Sequence, residues 1–332
     1  MKIFLTGATG FFGSCLARVL LEQTDHELVL LARPGRESSL PQDRRVTAAT
    51  GDLTDPESLK RGVTACDAVI HAAALVATWL RDRRTFDRVN VEGTLNILRA
   101  ARDAGASRVI YVSSFLALGH SEGRPLAESD NHERTTHYND YERTKYLANL
   151  KAQEFARSTG LPLVILYPTV MYGPGPLTAG NLVSGMVIEF MKKRLKARPG
   201  NGKARWNFVF VQDVVRGVVS ALEKAAPGER YILGGENASL ALFFETLERV
   251  TGVPQPRFSV PWPIVRLTGA TEEILAFLTG RVPQTTRGVV NIFSKNWIFD
   301  SKAAEKKLGY SSFSLEDGLR RTVDWIRAEG LA

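Results

Sequence analysis

The chain has 332 residues, 44% of them hydrophobic and 23% charged, with a formal net charge of +8 at pH 7. That balance is ordinary for a globular protein and excludes disordered and collagen-like classes, and the length suffices for one large domain or two unequal ones. No apolar run approaches the roughly 18 residues that cross a bilayer, so no membrane span is expected.

Lys2 followed by Ile3-Phe4-Leu5 has the start of a secretory leader, but Gly7, Gly10 and Gly13 interrupt it and Arg18 closes it early. A cytoplasmic protein is therefore expected. Cys15 and Cys66 make no disulfide framework, and His26, His71, His120, His132 and His137 stand in no metal-ligand spacing, so no metal is expected. The basic residues are dispersed and lack aromatic interleaving, which argues against nucleic acid. The densest cluster, Lys192-Lys193-Arg194-Leu195-Lys196-Ala197-Arg198, reads as the cationic end of a helix starting near Asn181, with a membrane or polyanion contact as the other reading.

From the N-terminus, candidate strands at 2–6, 27–32, 45–49, 68–71, 108–113 and 162–167 alternate with helical patterns at 12–22, 56–61, 83–104 and 139–159. Strict alternation implies right-handed crossovers and an α/β fold with a doubly wound parallel sheet. Runs such as Val109-Ile110-Tyr111-Val112 are continuously apolar, as strands covered on both faces require. After Tyr167 the alternation breaks. A strand end and helix at 208–223 and a strand at 230–233 rejoin the sheet domain, which is expected to comprise 1–167, about 207–234 and 287–300. A smaller, mainly helical substrate lobe is expected from 168–206, 235–286 and 301–332.

Thr6-Gly7-Ala8-Thr9-Gly10-Phe11-Phe12-Gly13 follows the first strand and opens the first helix. In that context the glycines predict a tight turn, a close approach to pyrophosphate and close helix–strand packing. The helix N-terminus offers unpaired N–H groups and a positive dipole end to phosphate. The second strand then selects the dinucleotide. An NAD site usually ends it with an acid, whereas here Ala32 is followed by Arg33, with Arg36 close behind. A guanidinium pairs with a 2′-phosphate, so NADP(H) is favoured, Arg33 as a solvated surface residue being the alternative. Asp52-Leu53 lies where adenine would be touched, although Asp52 serves equally well as a turn or cap residue before Asp55-Pro56.

Tyr141 and Lys145 lie four apart in Tyr141-Glu142-Arg143-Thr144-Lys145, hence on one helix face. A lysine ammonium beside a phenol is expected to lower its pKa and give a usable proton donor. Ser114 ends the fifth strand, where a substrate oxygen can be polarised.

These motifs resemble an extended short-chain dehydrogenase/reductase, of the superfamily that includes dihydroflavonol reductases and nucleotide-sugar epimerases. Gly51-Asp52-Leu53-Thr54-Asp55, His71-Ala72-Ala73-Ala74, Asn90-Val91-Glu92-Gly93-Thr94, Val112-Ser113-Ser114 and Tyr167-Pro168-Thr169-Val170 carry the resemblance beyond the glycine loop. It implies that Ser114 orients a carbonyl, Tyr141 donates the proton, and Lys145 tunes Tyr141 and binds ribose. It places Thr6, Thr9, Phe11, Phe12, His71, Ala72, Ala73, Ala74, Val112, Ser113, Tyr167, Pro168, Thr169 and Val170 around the cofactor. Asn90 is expected there in a structural role. The Tyr172-Gly173-Pro174 turn is expected near the nicotinamide. A homodimer through the tyrosine-bearing helix is common in the superfamily.

Nucleotide-sugar members commonly carry an asparagine where this chain has Tyr167, and an arginine where it has Trp206; Lys203 and Arg205 are possible substitutes. Apolar residues of the small lobe, among them Met186, Val187, Phe190, Met191, Trp262, Ile264, Leu267, Ile274, Phe277 and Leu278, are expected mainly as core, with any surplus lining a pocket for a bulky apolar small-molecule substrate. NADPH-dependent reduction of a ketone or aldehyde is the leading expectation. An epimerase or dehydratase that retains its cofactor is the second, and a non-catalytic NADP-sensing regulator the third.

Overall fold

The structure is a computed structural model and describes residues 1–130 and 136–332; His132 lies outside them. The N-terminal alternation runs β1 (Lys2–Thr6), α1 (Phe11–Gln23), β2 (Glu27–Ala32), β3 (Val46–Thr50), α2 (Pro56–Val63) and β4 (Ala68–His71). A helical run then opens as α3 (Arg84–Phe86), winds as a π-helix over Asp87–Glu92 and continues as α4 (Gly93–Asp103). The sequence reads as one unbroken helix there, because apolar spacing does not register a single wider turn. β5 (Arg108–Val112), α5 (Asp140–Thr159) and β6 (Leu163–Pro168) follow.

β7 (Val170–Tyr172), α6 (Leu182–Met191), β8 (Ala197–Pro199) and β9 (Arg205–Phe210) come next, then α7 (Val211–Lys224), β10 (Arg230–Leu233), β11 (Glu236–Ser239) and α8 (Leu240–Thr251). β12 (Phe258–Val260), α9 (Trp262–Thr279), α10 (Arg287–Phe293), α11 (Lys302–Leu308) and α12 (Leu315–Ala328) complete the chain.

Seven parallel strands form the main sheet in the order β10-β6-β5-β4-β1-β2-β3. The Rossmann fold expected from the alternation is thus present. Its strands bury both faces. Phe4, Val69, Val109 and Ile165 join one core, with side chains of α2, α4 and α5. Ile3, Leu5, Ile70 and Ile110 join the other, with α1, α7 and α11. Thr6, at the end of β1, is in register with Leu31 on one side and His71 on the other. The chain leaves β1 where strand order reverses, which is where open α/β sheets bind ligands.

The smaller lobe carries a three-stranded sheet, β11-β9-β7, and the short parallel pair β12-β8. Helix α12 packs on α8, and α10 on α9. Helix α11, placed with this lobe by the sequence reading, instead packs on α7 and β10, and Ala304, Leu308 and Tyr310 enter the main-sheet core. Residues 296–300 run between distant segments: Leu126 N–H donates to Ile298 O (3.0 Å), and Asn207 N–H donates to Trp297 O (2.8 Å). Among the described residues no helix is long and apolar enough to cross a membrane.

Candidate active site

The glycine loop is shaped by what a side chain would hit. Gly7 has φ +87°, a conformation that L side chains rarely adopt. A Cβ there would also lie 2.8 Å from Ala73 N, so the His71–Ala74 stretch closes directly over the loop. At Gly13 a Cβ would lie 2.1 Å from Gly7 O, which sets how closely α1 approaches β1. Gly10 caps α1 with extended backbone, no side-chain cap bond and no acid in the first turn. The helix therefore presents bare N–H groups at its positive end, and this cradle fits a dinucleotide pyrophosphate.

Arg33 and Arg36 follow β2 on exposed loop. Neither guanidinium has an ion-pair partner among the described residues. The nearby acid, Glu37, accepts a hydrogen bond from Thr50 Oγ1 at 2.9 Å. Asp52 is used as a turn residue, its Oδ1 accepting from Thr54 N (2.9 Å) and Thr54 Oγ1 (2.7 Å). Asp55 caps α2. Leu53 is buried, and its Cβ fills the space at which a Gly93 side chain would begin.

A buried polar chain stands behind the loop. Ala73 N–H donates to Thr6 Oγ1 (3.1 Å), which lies 2.8 Å from His71 Nδ1. On the other side His71 Nε2 lies 3.1 Å from Thr94 Oγ1, and Thr94 Oγ1 donates to Asn90 O at 2.7 Å. Thr94 has one hydroxyl proton and spends it on Asn90, so His71 must carry its proton on Nε2 and accept from Thr6 on Nδ1. Burial, with the Lys145 charge adding, depresses the imidazole to about 3, so it stays neutral. His71 is a structural hinge pin between β4 and the π-turn.

Asn90 sits on that π-turn and is 3% exposed. Its Oδ1 accepts from Leu75 N (2.7 Å), while Nδ2 donates to Leu75 O (3.1 Å) and to Thr144 Oγ1 (3.1 Å). It thereby ties the loop beyond β4 to α5. The sequence does not mark Thr94, Thr144 or Tyr111, although each lies inside or beside one of its motifs.

Helix α5 starts at an Asn139 cap whose Oδ1 accepts from Glu142 N at 2.8 Å, and Glu142 Oε2 accepts from Tyr138 N at 2.7 Å. Arg143 grips Asp87 of the π-turn through two bonds of 2.8 and 2.6 Å. Held this way, α5 lays Lys145 against the end of β5. Lys145 is 3% exposed, its Nζ donates to Val112 O at 3.5 Å, and it stands 5.4 Å from the Tyr111 ring centroid. Tyr141 is one turn earlier on the same helix and half-buried.

Ser114 follows β5 and caps a short 3-10 turn, its Oγ accepting from Leu116 N at 3.2 Å. That bond leaves the hydroxyl proton for another acceptor. Among the described residues, Ser113 Oγ and Tyr111 Oη are sealed from solvent without a hydrogen-bond partner.

The electrostatics depart from the expected tuning. Burial, and then Tyr111, push the Tyr141 phenol above its ordinary range. Burial also brings Lys145 down to about 7. Among the described residues no hydrogen bond joins Lys145 to Tyr141, because the ammonium is turned to the Val112 carbonyl and the Tyr111 face. Desolvation therefore dominates both groups.

Tyr167 is fully buried and its hydroxyl donates to Asn149 Oδ1 at 2.9 Å. Thr169 Oγ1 donates to Asn207 Oδ1 at 2.7 Å. Pro168 ends β6 and Val170 opens β7, so the stretch crosses from one sheet to the next. The Gly173–Gly175 turn packs on α1: a Cβ at Gly175 would lie 3.0 Å from the Phe11 ring, and Cys15 Sγ donates to Pro174 O at 3.5 Å. Trp206 is buried with Nε1 donating to Lys295 O at 3.2 Å.

Residues 3–234 match the family model of the NAD dependent epimerase/dehydratase family. The chain belongs to that family. Its relatives place it among the extended short-chain dehydrogenases/reductases, enzymes that depend on a nicotinamide cofactor. It is 30% identical to "Sterol demethylase protein B" of Methylococcus capsulatus, over 100% of both chains. It is 27% identical to "2-alkyl-3-oxoalkanoate reductase" of Stenotrophomonas maltophilia, over 97% of this chain and 98% of the other. The crystal structure of gox2253 superposes with a TM-score of 0.84 at 32% identity, covering 99% of each chain.

Proposed function

We propose that this protein is an NADPH-dependent reductase of a ketone or aldehyde carried on a largely apolar small molecule, the reverse alcohol oxidation using the same groups. The observation that carries the reading is the meeting of three elements: the glycine cradle, the end of β5 with Ser114, and α5 with Tyr141 and Lys145. When bound, the reduced nicotinamide supplies the hydride for the carbonyl carbon. Tyr141 donates its phenolic proton to the carbonyl oxygen, and Ser114 donates a hydrogen bond to that oxygen. The Lys145 ammonium stabilises the phenolate left behind and holds ribose hydroxyls. Gly7, Gly10 and Gly13 with the α1 N-terminus hold the pyrophosphate, and Arg33 and Arg36 take the 2′-phosphate.

The relatives named for a 2-alkyl-3-oxoalkanoate and for sterol demethylation support an apolar substrate. The family also holds epimerases and dehydratases. Against that reading, Tyr167 and Trp206 are buried and already bonded, so neither offers a handle to a sugar nucleotide. Lys203 and Arg205 remain exposed.

Following NADPH absorbance and product identity across apolar ketones and nucleotide sugars separates the two. A reductase consumes NADPH stoichiometrically, whereas an epimerase regenerates its cofactor. Tyr141→Phe is expected to lower turnover by at least about a hundredfold while NADPH binding stays nearly intact. A Phe variant as active as the parent would remove Tyr141 from the role of proton donor.

A further inference from the structure

Helix α9 is inside out. Ile264, Leu267, Ile274, Phe277, Leu278 and the following Val282 are 54–73% exposed, although their spacing reads as core. The opposite face is the packed one. Gly269 and Ala276 are buried, and a Cβ on Gly269 would lie 2.9 Å from Arg287 N. The two acids of the helix are spent on the loop before α10 and on that helix's first residue: Glu272 Oε2 accepts from Gln284 N at 3.3 Å, and Glu273 accepts from Arg287 N (2.8 Å) and Nε (2.7 Å). An apolar stripe of this size facing water marks an interaction surface.

Its neighbours are cationic. Arg266 and Arg281 are exposed on and just beyond the helix. β12, which leads into α9, pairs in parallel with β8 so that Phe258 faces Ala197. Arg257 therefore stands beside Lys196, next to the Lys192-Lys193-Arg194 turn. Within that group Arg194 pairs with Glu189 at 3.4 Å. Phe258 adds a ring that is 75% exposed. The far end of β8 meets α9, since the Gly200 backbone lies directly under Trp262.

α6 ends at Met191, so the basic run begins at its C-cap and continues beyond it. The helix dipole accounts for the first of these cations, at the C-cap, but not for Lys196 and Arg198 further on.

We propose that this face seats on an anionic lipid bilayer, with α9 lying in the interface plane, its outer residues among the acyl chains and the basic turn on the phosphates. The 18 residues of α9, with Arg266, Glu272 and Glu273 among them, do not form a span. A second copy of the chain fits less well, because among the described residues α9 has no unpaired acid to meet the other copy's cations. On its inner side the α9–α10 pair reaches the catalytic helix: a Cβ on Gly288 of α10 would lie 2.5 Å from Tyr138 O, just ahead of the α5 cap. A membrane-borne apolar molecule would thus arrive beside Tyr141.

Co-sedimentation of the full chain with vesicles of phosphatidylcholine alone, or mixed with phosphatidylglycerol, tests this without cofactor or turnover. Its result is therefore independent of the reductase reading. The chain is expected to pellet with mixed vesicles, less so at high salt, and at least about tenfold less with pure phosphatidylcholine. Ile274→Glu with Leu278→Glu is expected to abolish pelleting and leave NADPH binding unchanged. Lys192→Glu with Lys193→Glu is expected to weaken binding to mixed vesicles only. A parent chain that stays in the supernatant overturns the proposal. So does a concentration-dependent dimer, dissolved by the Glu pair in sedimentation equilibrium, without vesicle binding.

Discussion

Lys145 moves from an ordinary 10.5 to about 7 on burial, so between those values the unfolded chain binds the proton that the folded chain has released. Stability of the cofactor-free protein therefore falls as pH is lowered through that window, reaching its floor below about 7. Denaturant titrations across pH are expected to show this slope, and Lys145→Met to flatten it. Cofactor binding works the other way, because pyrophosphate and ribose oxygens favour the ammonium. NADPH binding is expected to take up a proton and tighten as pH falls towards 7, which calorimetry in buffers of different ionisation enthalpy measures. The polar chain behind the loop yields a second expectation. Thr94→Val strands the His71 Nε2 proton in the core and should cost about 1–3 kcal/mol in urea unfolding. Tyr141, Lys145 and Ser114 are visible in the sequence because their spacing and strand position mark them. Thr94 and Thr144 are silent there, since nothing local says that their hydroxyls meet His71 and Asn90.

Among the elements, the parallel strands are legible because burial on both faces makes them continuous apolar runs. The glycine loop is legible because φ +87° at Gly7 and the close contact at Gly13 admit no other residue. Gly13→Ala puts a methyl against backbone that cannot yield without moving α1. It is expected to cost about 3 kcal/mol or more and to weaken NADPH binding, read by thermal unfolding with and without cofactor. The π-turn at Asp87–Glu92 was not legible. One wider turn leaves the apolar spacing nearly intact, yet it turns Asn90 onto Leu75 and Thr144 and Asp87 onto Arg143. Helix α9 fails differently: its periodicity announces a helix, but which side is wet depends on what Gly269 and Ala276 find to pack against.

At the level of the whole molecule, one ligand would bind together segments that are far apart in sequence, from Gly7 to Lys145. A ligand at a hundred times its Kd adds about 2.7 kcal/mol to the folded state. At equal concentration NADPH is therefore expected to raise the melting temperature more than NADH, and Arg33→Glu to reverse that order. Helix α11 finds its core on α7 and β10, long-range partners that local pattern does not name. The same is true of residues 296–300, wedged between Leu126 and Asn207. That stitch has a consequence for manufacture. As the ribosome delivers the chain, the seven strands of the main sheet and β9 emerge while the edge that Trp297 will occupy is still bare. The segment beyond Ser114 and the strand carrying Trp206 gain their shared partner only after both have been made. Ser114, Tyr141 and Lys145 are made before the residues that close the wall beside them.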